Sequence, residues 1–145
     1  MPELVRRLSA TGMALCAALA IPSAALAVVP CDENGAPVIG GSMNPSTITE
    51  NGHKYVAVQA VVAAADDDSP PTTITVSWTS SDPDDGLGKG DKPNDVVQVD
   101  LYNFLVRAEL GKDDTPRIYT FTYRITDGCG LYDEAEMTVT VQPRR

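Results

Sequence analysis

The sequence predicts an all-β sandwich, and three observations carry that prediction. Short runs rich in Val, Ile, Thr, Tyr and Phe alternate with clusters of Gly, Pro, Asp and Asn roughly every ten residues. Within the runs, apolar side chains recur at every second position, the period of a half-buried sheet. Beyond residue 27 no segment of useful length shows the helical period.

Taken in order, residues 36–39 read as a weak first strand before a turn at 40–42. Residues 54–63 read as a strong one, with Val56, Val58, Ala60 and Val62 on one face and Tyr55, Ala57, Gln59 and Val61 on the other. The stretch DDDSPP at 66–71 stops it. Thr73–Ser80 alternates Ile74, Val76 and Trp78 with Thr75, Ser77 and Thr79. After an acidic loop, 96–100 reads as a short edge piece, and 103–110 places Phe104, Val106, Ala108 and Leu110 on one side. Residues 111–116 read as a charged hairpin turn. Arg117–Thr126 sets Tyr119, Phe121, Tyr123 and Ile125 on one face, 127–130 turns the chain, and 135–141 closes the sheet with Ala135, Met137, Val139 and Val141 inward. The core candidates are Val58, Trp78, Phe104, Tyr119, Phe121 and Tyr123.

The first residues stand outside this pattern. Arg6 and Arg7 precede a short apolar run at 8–21 and the small-residue stretch SAALA at 23–27, which reads as a secretory signal peptide cleaved after Ala27. Leu15 before Cys16 and Pro30 before Cys31 do not make a lipidation motif. The organisation expected is a signal peptide at 1–27, a flexible leader at 28–35 and one β-sandwich domain at 36–143. The chain has a formal net charge of −9, and removal of Glu3, Arg6 and Arg7 with the leader peptide makes it −10. Such a balance argues against nucleic acid, whose phosphates need clustered Lys and Arg. No further apolar run approaches membrane length. The mature chain keeps two cysteines, and in an oxidising compartment an even pair reads as a disulfide, Cys31 to Cys129. The expected location is secreted, extracellular or periplasmic.

Three blocks carry a resemblance: GHKYVAVQAVV at 52–62, SDPDDGLGKGDKPND at 81–95, and RIYTFTYRITDGCG at 117–130. In that order they resemble the NHK-strand, the acidic D/N-G-x-G-D loop and the R-x-Y-T-x-T-Y-x-x-T-D-x-x-G strand of bacterial extracellular immunoglobulin-like modules of the HYR and PKD kinds. The resemblance implies an immunoglobulin-like Greek-key sandwich of about seven antiparallel strands. It also implies a non-enzymatic adhesion or recognition role at the cell surface, with a protein or glycan partner.

Catalysis finds little support. His53 is the single histidine, so any Ser–His–Asp or Cys–His arrangement would depend on it alone. It also cannot make a tetrahedral zinc site with two disulfide cysteines. A small secreted hydrolase, or an inhibitor of one, is the alternative function. Calcium is the candidate cofactor, because hard cations take six to eight oxygens and a glycine-rich loop can gather them. Asp82, Asp84, Asp85, Asp91, Asn94 and Asp95 are the candidate ligands. Their spacing matches neither the EF-hand nor the secreted β-roll repeat, so a solvated acidic loop stands beside the calcium reading. Asp127 is expected to accept backbone N–H groups in its turn.

Overall fold

The computed structural model describes residues 30–67, 73–84 and 92–144. The signal peptide expected at 1–27, Asp68, Asp85 and Asp91 lie outside them. Eight strands are described: β1 (Val38–Asn44), β2 (Thr47–Thr49), β3 (Tyr55–Ala65), β4 (Thr73–Ser80), β5 (Val96–Gln98), β6 (Asn103–Arg107), β7 (Arg117–Thr126) and β8 (Tyr132–Gln142). They form two four-stranded sheets, one ordered β1-β3-β6-β5 and the other β2-β8-β7-β4. All pairings are antiparallel except β2 with β8. This is an immunoglobulin-like two-sheet sandwich.

The strand count exceeds seven because the first strand is divided between the sheets. β1 pairs with β3 in one sheet; after the cis Asn44–Pro45 bond, β2 joins β8 in the other. The expected turn at 40–42 is therefore a strand interior. Glycine there answers to crowding: a Cβ on Gly41 would stand 2.2 Å from the Val61 carbonyl oxygen and 2.7 Å from Met137 Cε. The expected hairpin at 111–116 is corrected too. β6 and β7 lie in different sheets, so this segment crosses between them, through a 3-10 turn at Lys112–Asp114.

The strand faces follow the two-residue period. Val58 and Ala60 of β3, Phe104 and Val106 of β6, Tyr119, Phe121, Tyr123 and Ile125 of β7, and Met137, Val139 and Val141 of β8 are buried between the sheets. Phe104 and Phe121 meet across the sandwich with ring centroids 4.8 Å apart. Trp78 departs from expectation. It packs against both rings but stays 36% exposed, because β4 is the outer strand of its sheet and, among the described residues, no strand lies beyond it.

The two poles are held differently. At one, Cys31 and Cys129 form a disulfide with Cα atoms 5.5 Å apart, tying the segment before β1 to the β7–β8 turn. Asp127 organises that turn as expected. Its Oδ1 accepts the N–H groups of Cys129 and Leu131 at 2.8 and 2.9 Å, and its Oδ2 accepts Asn34 Nδ2 at 2.6 Å. Burial works against its ionised form, yet these donors hold its pKa below the ordinary aspartate value. The other pole, at the start of β7, carries the charge network.

Candidate functional site

Arg117 opens β7 in phase with Tyr119 and Phe121, so the same alternation that buries the rings buries a guanidinium. The side chain is 1% exposed. Its Nη1 donates to Glu109 Oε1 at 2.5 Å, its Nη2 lies 2.5 Å from Asp95 Oδ2, and its Nε donates to Ser80 Oγ at 2.9 Å. Nη2 also reaches the carbonyls of Asp82 and Pro83 at 3.1 and 3.0 Å. Glu109, 2% exposed, turns its second oxygen to His53 Nδ1 at 2.8 Å. Arg107 adds a second guanidinium, with Nε 3.7 Å from Asp95 Oδ1. It donates to the His53 and Pro93 carbonyls at 2.9 Å and lies over the Tyr55 ring.

Two turns deliver the outer members. His53 and Asn94 both sit in the left-handed region, with φ of 62° and 63°. That costs a non-glycine residue about 1 kcal/mol. The first brings the imidazole to Glu109, and the second precedes the buried Asp95. Burial raises the Asp95 carboxyl from 3.8 to about 7, against the pull of Arg117 and with the Glu109 carboxyl adding to the rise. The cluster thus presents two carboxyls to two guanidinium groups and one imidazole; Asp95, Glu109 and Arg117 are buried, and the imidazole is its exposed member.

Beside this network, between the end of β4 and the start of β5, lies a cavity of about 380 Å³ lined by Trp78, Ser80, Asp82, Asp84, Asp95 and Tyr119. His53 meets a carboxylate, as a hydrolase would require, but it is not among the residues lining that cavity. The Ser80 hydroxyl is occupied by Arg117, and both described cysteines are oxidised.

Of the candidate calcium ligands, Asp82, Asp84 and Asp95 line this cavity, each with partners in the protein. Asp95 is the counter-ion of Arg117. Asp82 accepts the Lys112 N–H at 3.0 Å and the Ser81 hydroxyl at 3.0 Å, while Asp84 accepts the Asp95 N–H at 3.1 Å. The Asn94 carbonyl accepts the Tyr55 hydroxyl at 2.5 Å. Among the described residues no three His, Cys, Asp or Glu side chains converge as a metal site needs.

The outward faces of the two sheets differ in chemistry. The β2-β8-β7-β4 sheet presents threonines in rows, such as Thr79, Thr120 and Thr138, with Glu136 and an Arg124–Glu134 pair at 2.8 Å. The β1-β3-β6-β5 sheet presents a mixed face, with Val38, Ala57, Val61, Ala63, Val97 and Leu105 beside Ser42, Asn44, Gln59 and Asn103, and Val61 is 55% exposed. Arg107, at one end, is the single charged side chain its strands direct outward. The sequence already held the sign of this in YVAVQAVVAAA, a strand apolar on both faces.

No protein-family model and no curated protein matches the chain. Among solved structures it is similar to the crystal structure of the N-terminal four Ig domains of Dscam1 isoform 9.44, at 12% identity, over 74% of this chain and 21% of that one, with a TM-score of 0.38. It is similar to the same region of Dscam1 isoform 8.4 at 13% identity, 74% and 21% coverage, and a TM-score of 0.37. The solution structure of the PKD domain (329-428) from human KIAA0319 is similar at 21% identity, 74% and 83% coverage, and a TM-score of 0.35. The chain therefore spans 21% of the length of the Dscam1 structures.

Proposed function

We propose that this chain is a secreted, non-enzymatic recognition or adhesion module, working at the cell surface or in the extracellular or periplasmic space through its sheet surface. The observation that carries the proposal is the outward face of the β1-β3-β6-β5 sheet. An antiparallel sheet that meets water on one side is ordinarily polar there, and the threonine-rich sheet of the same molecule follows that pattern. The valines and alanines of the other sheet, set on either side of the polar row Asn44, Gln59 and Asn103, leave apolar surface unspent on the protein's own core, which supports contact with something else. The chemistry-bearing groups support the same reading: His53, Glu109, Asp95 and Arg117 are engaged with one another. The disulfide accords with an oxidising compartment. Calcium belongs to this proposal as a stabiliser of the 82–95 loop, supported by its density of carboxylates.

The test is binding of fluorescently labelled protein to the surface of the cells that produce it, for the wild type and for Val61→Asp. Retention of the wild type with loss in the variant is the expected result. Equal binding by both would remove the face from the proposal. Turnover of ester, peptide or glycoside substrates that His53→Ala abolishes would replace recognition by catalysis.

A further inference from the structure

We propose that the outer edge of β4 takes up an extended, basic segment of a partner protein, whose lysine or arginine side chain enters the cavity beside Trp78. The proposal rests on the recognition reading above and gives it a second surface and a partner of stated chemistry. The backbone of β4 is phased for such a contact. The Ser81 N–H donates to the Ile118 carbonyl at 2.8 Å, and the β4–β7 register runs back from that pair. In an antiparallel pair, alternate residues exchange both hydrogen bonds. Thr73, Thr75, Ser77 and Thr79 therefore bond to β7, while Ile74, Val76, Trp78 and Ser80 turn their N–H and C=O groups away from it. Among the described residues no strand lies on that side.

Outer strands are ordinarily shielded by charge, proline, bulges or shortness. β2 and β5 have three residues each, and β1 carries Gly40 and Gly41. β4 has none of these devices: TITVSWTS is eight residues without a charge, a glycine or a proline. Such an edge suits strand addition, in which main-chain hydrogen bonds give affinity and pockets for alternate side chains give specificity.

The cavity of about 380 Å³ lies at the Trp78–Ser80 end of this edge. It is at the small end of the ~300–1,000 Å³ of ligand pockets, so it suits one long side chain. Its lining sets the charge of that side chain. Asp82 accepts the Lys112 N–H and the Ser81 hydroxyl, and Asp84 accepts the Asp95 N–H. Among the described residues neither carboxylate forms an ion pair with Lys, Arg or His. Asp95 is already matched by Arg117. Trp78 lines the same cavity, and an indole adds attraction for a cation. Two unmatched carboxylates and an indole beside an open strand edge favour a basic extended segment over a neutral or acidic one.

Trp78 is the single tryptophan of the chain, so its fluorescence reports this site directly. The test titrates the purified protein, in the presence of a chelator, with a capped peptide of about seven residues, the length of an ordinary strand. The peptide alternates threonine and valine and carries one lysine in place of a valine. A saturable fluorescence change below about 1 mM is expected. Norleucine in place of the lysine should weaken binding by at least about tenfold, and Asp82→Asn with Asp84→Asn should abolish that preference. N-methylation of alternate peptide residues should abolish binding in one phase and spare it in the other, because only one edge of the peptide meets β4. No saturable change, equal binding of the lysine and norleucine peptides, or indifference to N-methylation in both phases would each overturn the proposal. A protein that ignores the peptide, yet binds cells in a manner lost in Val61→Asp, would overturn this site and leave the recognition reading standing. Lysine-dependent peptide binding with no cell-surface binding would do the reverse.

Discussion

Replacing Arg117 by Met keeps much of the side-chain volume and removes the charge on which the buried network is centred. Asp95 and Glu109 would then remain 1% and 2% exposed without the guanidinium that lies 2.5 Å from each. Arg107, at 3.7 Å from Asp95, and His53, at 2.8 Å from Glu109, offset only part of that loss. Removing one partner of a buried ion pair costs about 3–5 kcal/mol. At roughly 3–6 °C per kcal/mol for a domain between the 100- and 150-residue classes, the melting temperature should fall by about 10–30 °C at neutral pH. Thermal and urea unfolding followed by circular dichroism at pH 7.5 and pH 5 is the assay. Acid should return part of the loss, because protonation neutralises the stranded carboxyls. The triple variant Arg117→Met, Asp95→Asn, Glu109→Gln should recover more still, having no buried charge to strand. A loss below about 1 kcal/mol at both pH values would refute the assignment of this cluster as a buried, mutually dependent network.

The wild type carries its own pH signature. Asp95 has a native pKa raised to about 7 from 3.8, so between those values the folded state binds a proton that the unfolded state does not. Its contribution therefore favours folding as pH falls from about 7 toward 4, and Asp95→Asn should remove that slope. Asp100 and Asp127 are shifted the other way, so their contribution is present above the ordinary aspartate pKa and is lost only in stronger acid.

Loss of the disulfide through Cys129→Ser, which opens a link between residues 98 apart, should cost roughly 2–5 kcal/mol by urea titration. Thiol alkylation of the unreduced mature protein should label nothing. Gly41→Ala should cost about 1–3 kcal/mol, since its new Cβ meets a backbone oxygen. Gly40→Ala, with nothing within 4 Å, should stay within about 0.5 kcal/mol by the same titration. If calcium stabilises the acidic loop, the melting midpoint should rise from chelator to calcium. It should not move in the double variant Asp84→Asn, Asp91→Asn; equal midpoints for wild type and variant would leave the loop a solvated surface.

What could be read from the residues was what repeats locally. β3, β4, β7 and β8 announce themselves through alternation, and their inward faces are the expected ones. β2 could not be found this way: three residues in parallel register with the end of β8 have no pattern of their own. Glycines 40 and 41 look like a turn until the approach of Val61 and Met137 is known. The charge network is illegible for another reason. Asp95, Glu109, Arg117 and His53 come together only through long-range packing, and in sequence Asp95 has the acidic loop for its neighbours. One signal was available: Arg117 is a charged residue in phase with a buried aromatic face, which demands a counter-ion.

The disulfide also decides how tension would travel through the domain. Pulling on the chain ahead of Cys31 transmits force across the sulfur bridge to Cys129, 98 residues later. Everything between the two cysteines, including β1 through β7, is bypassed and cannot lengthen while the bond holds. The force then enters β8 at Tyr132 and leaves it at Gln142, along a strand that is already extended, so the β7–β8 register lies beside the line of tension rather than across it. A single thiol–disulfide exchange would therefore convert a short, stiff tether into a long, extensible one.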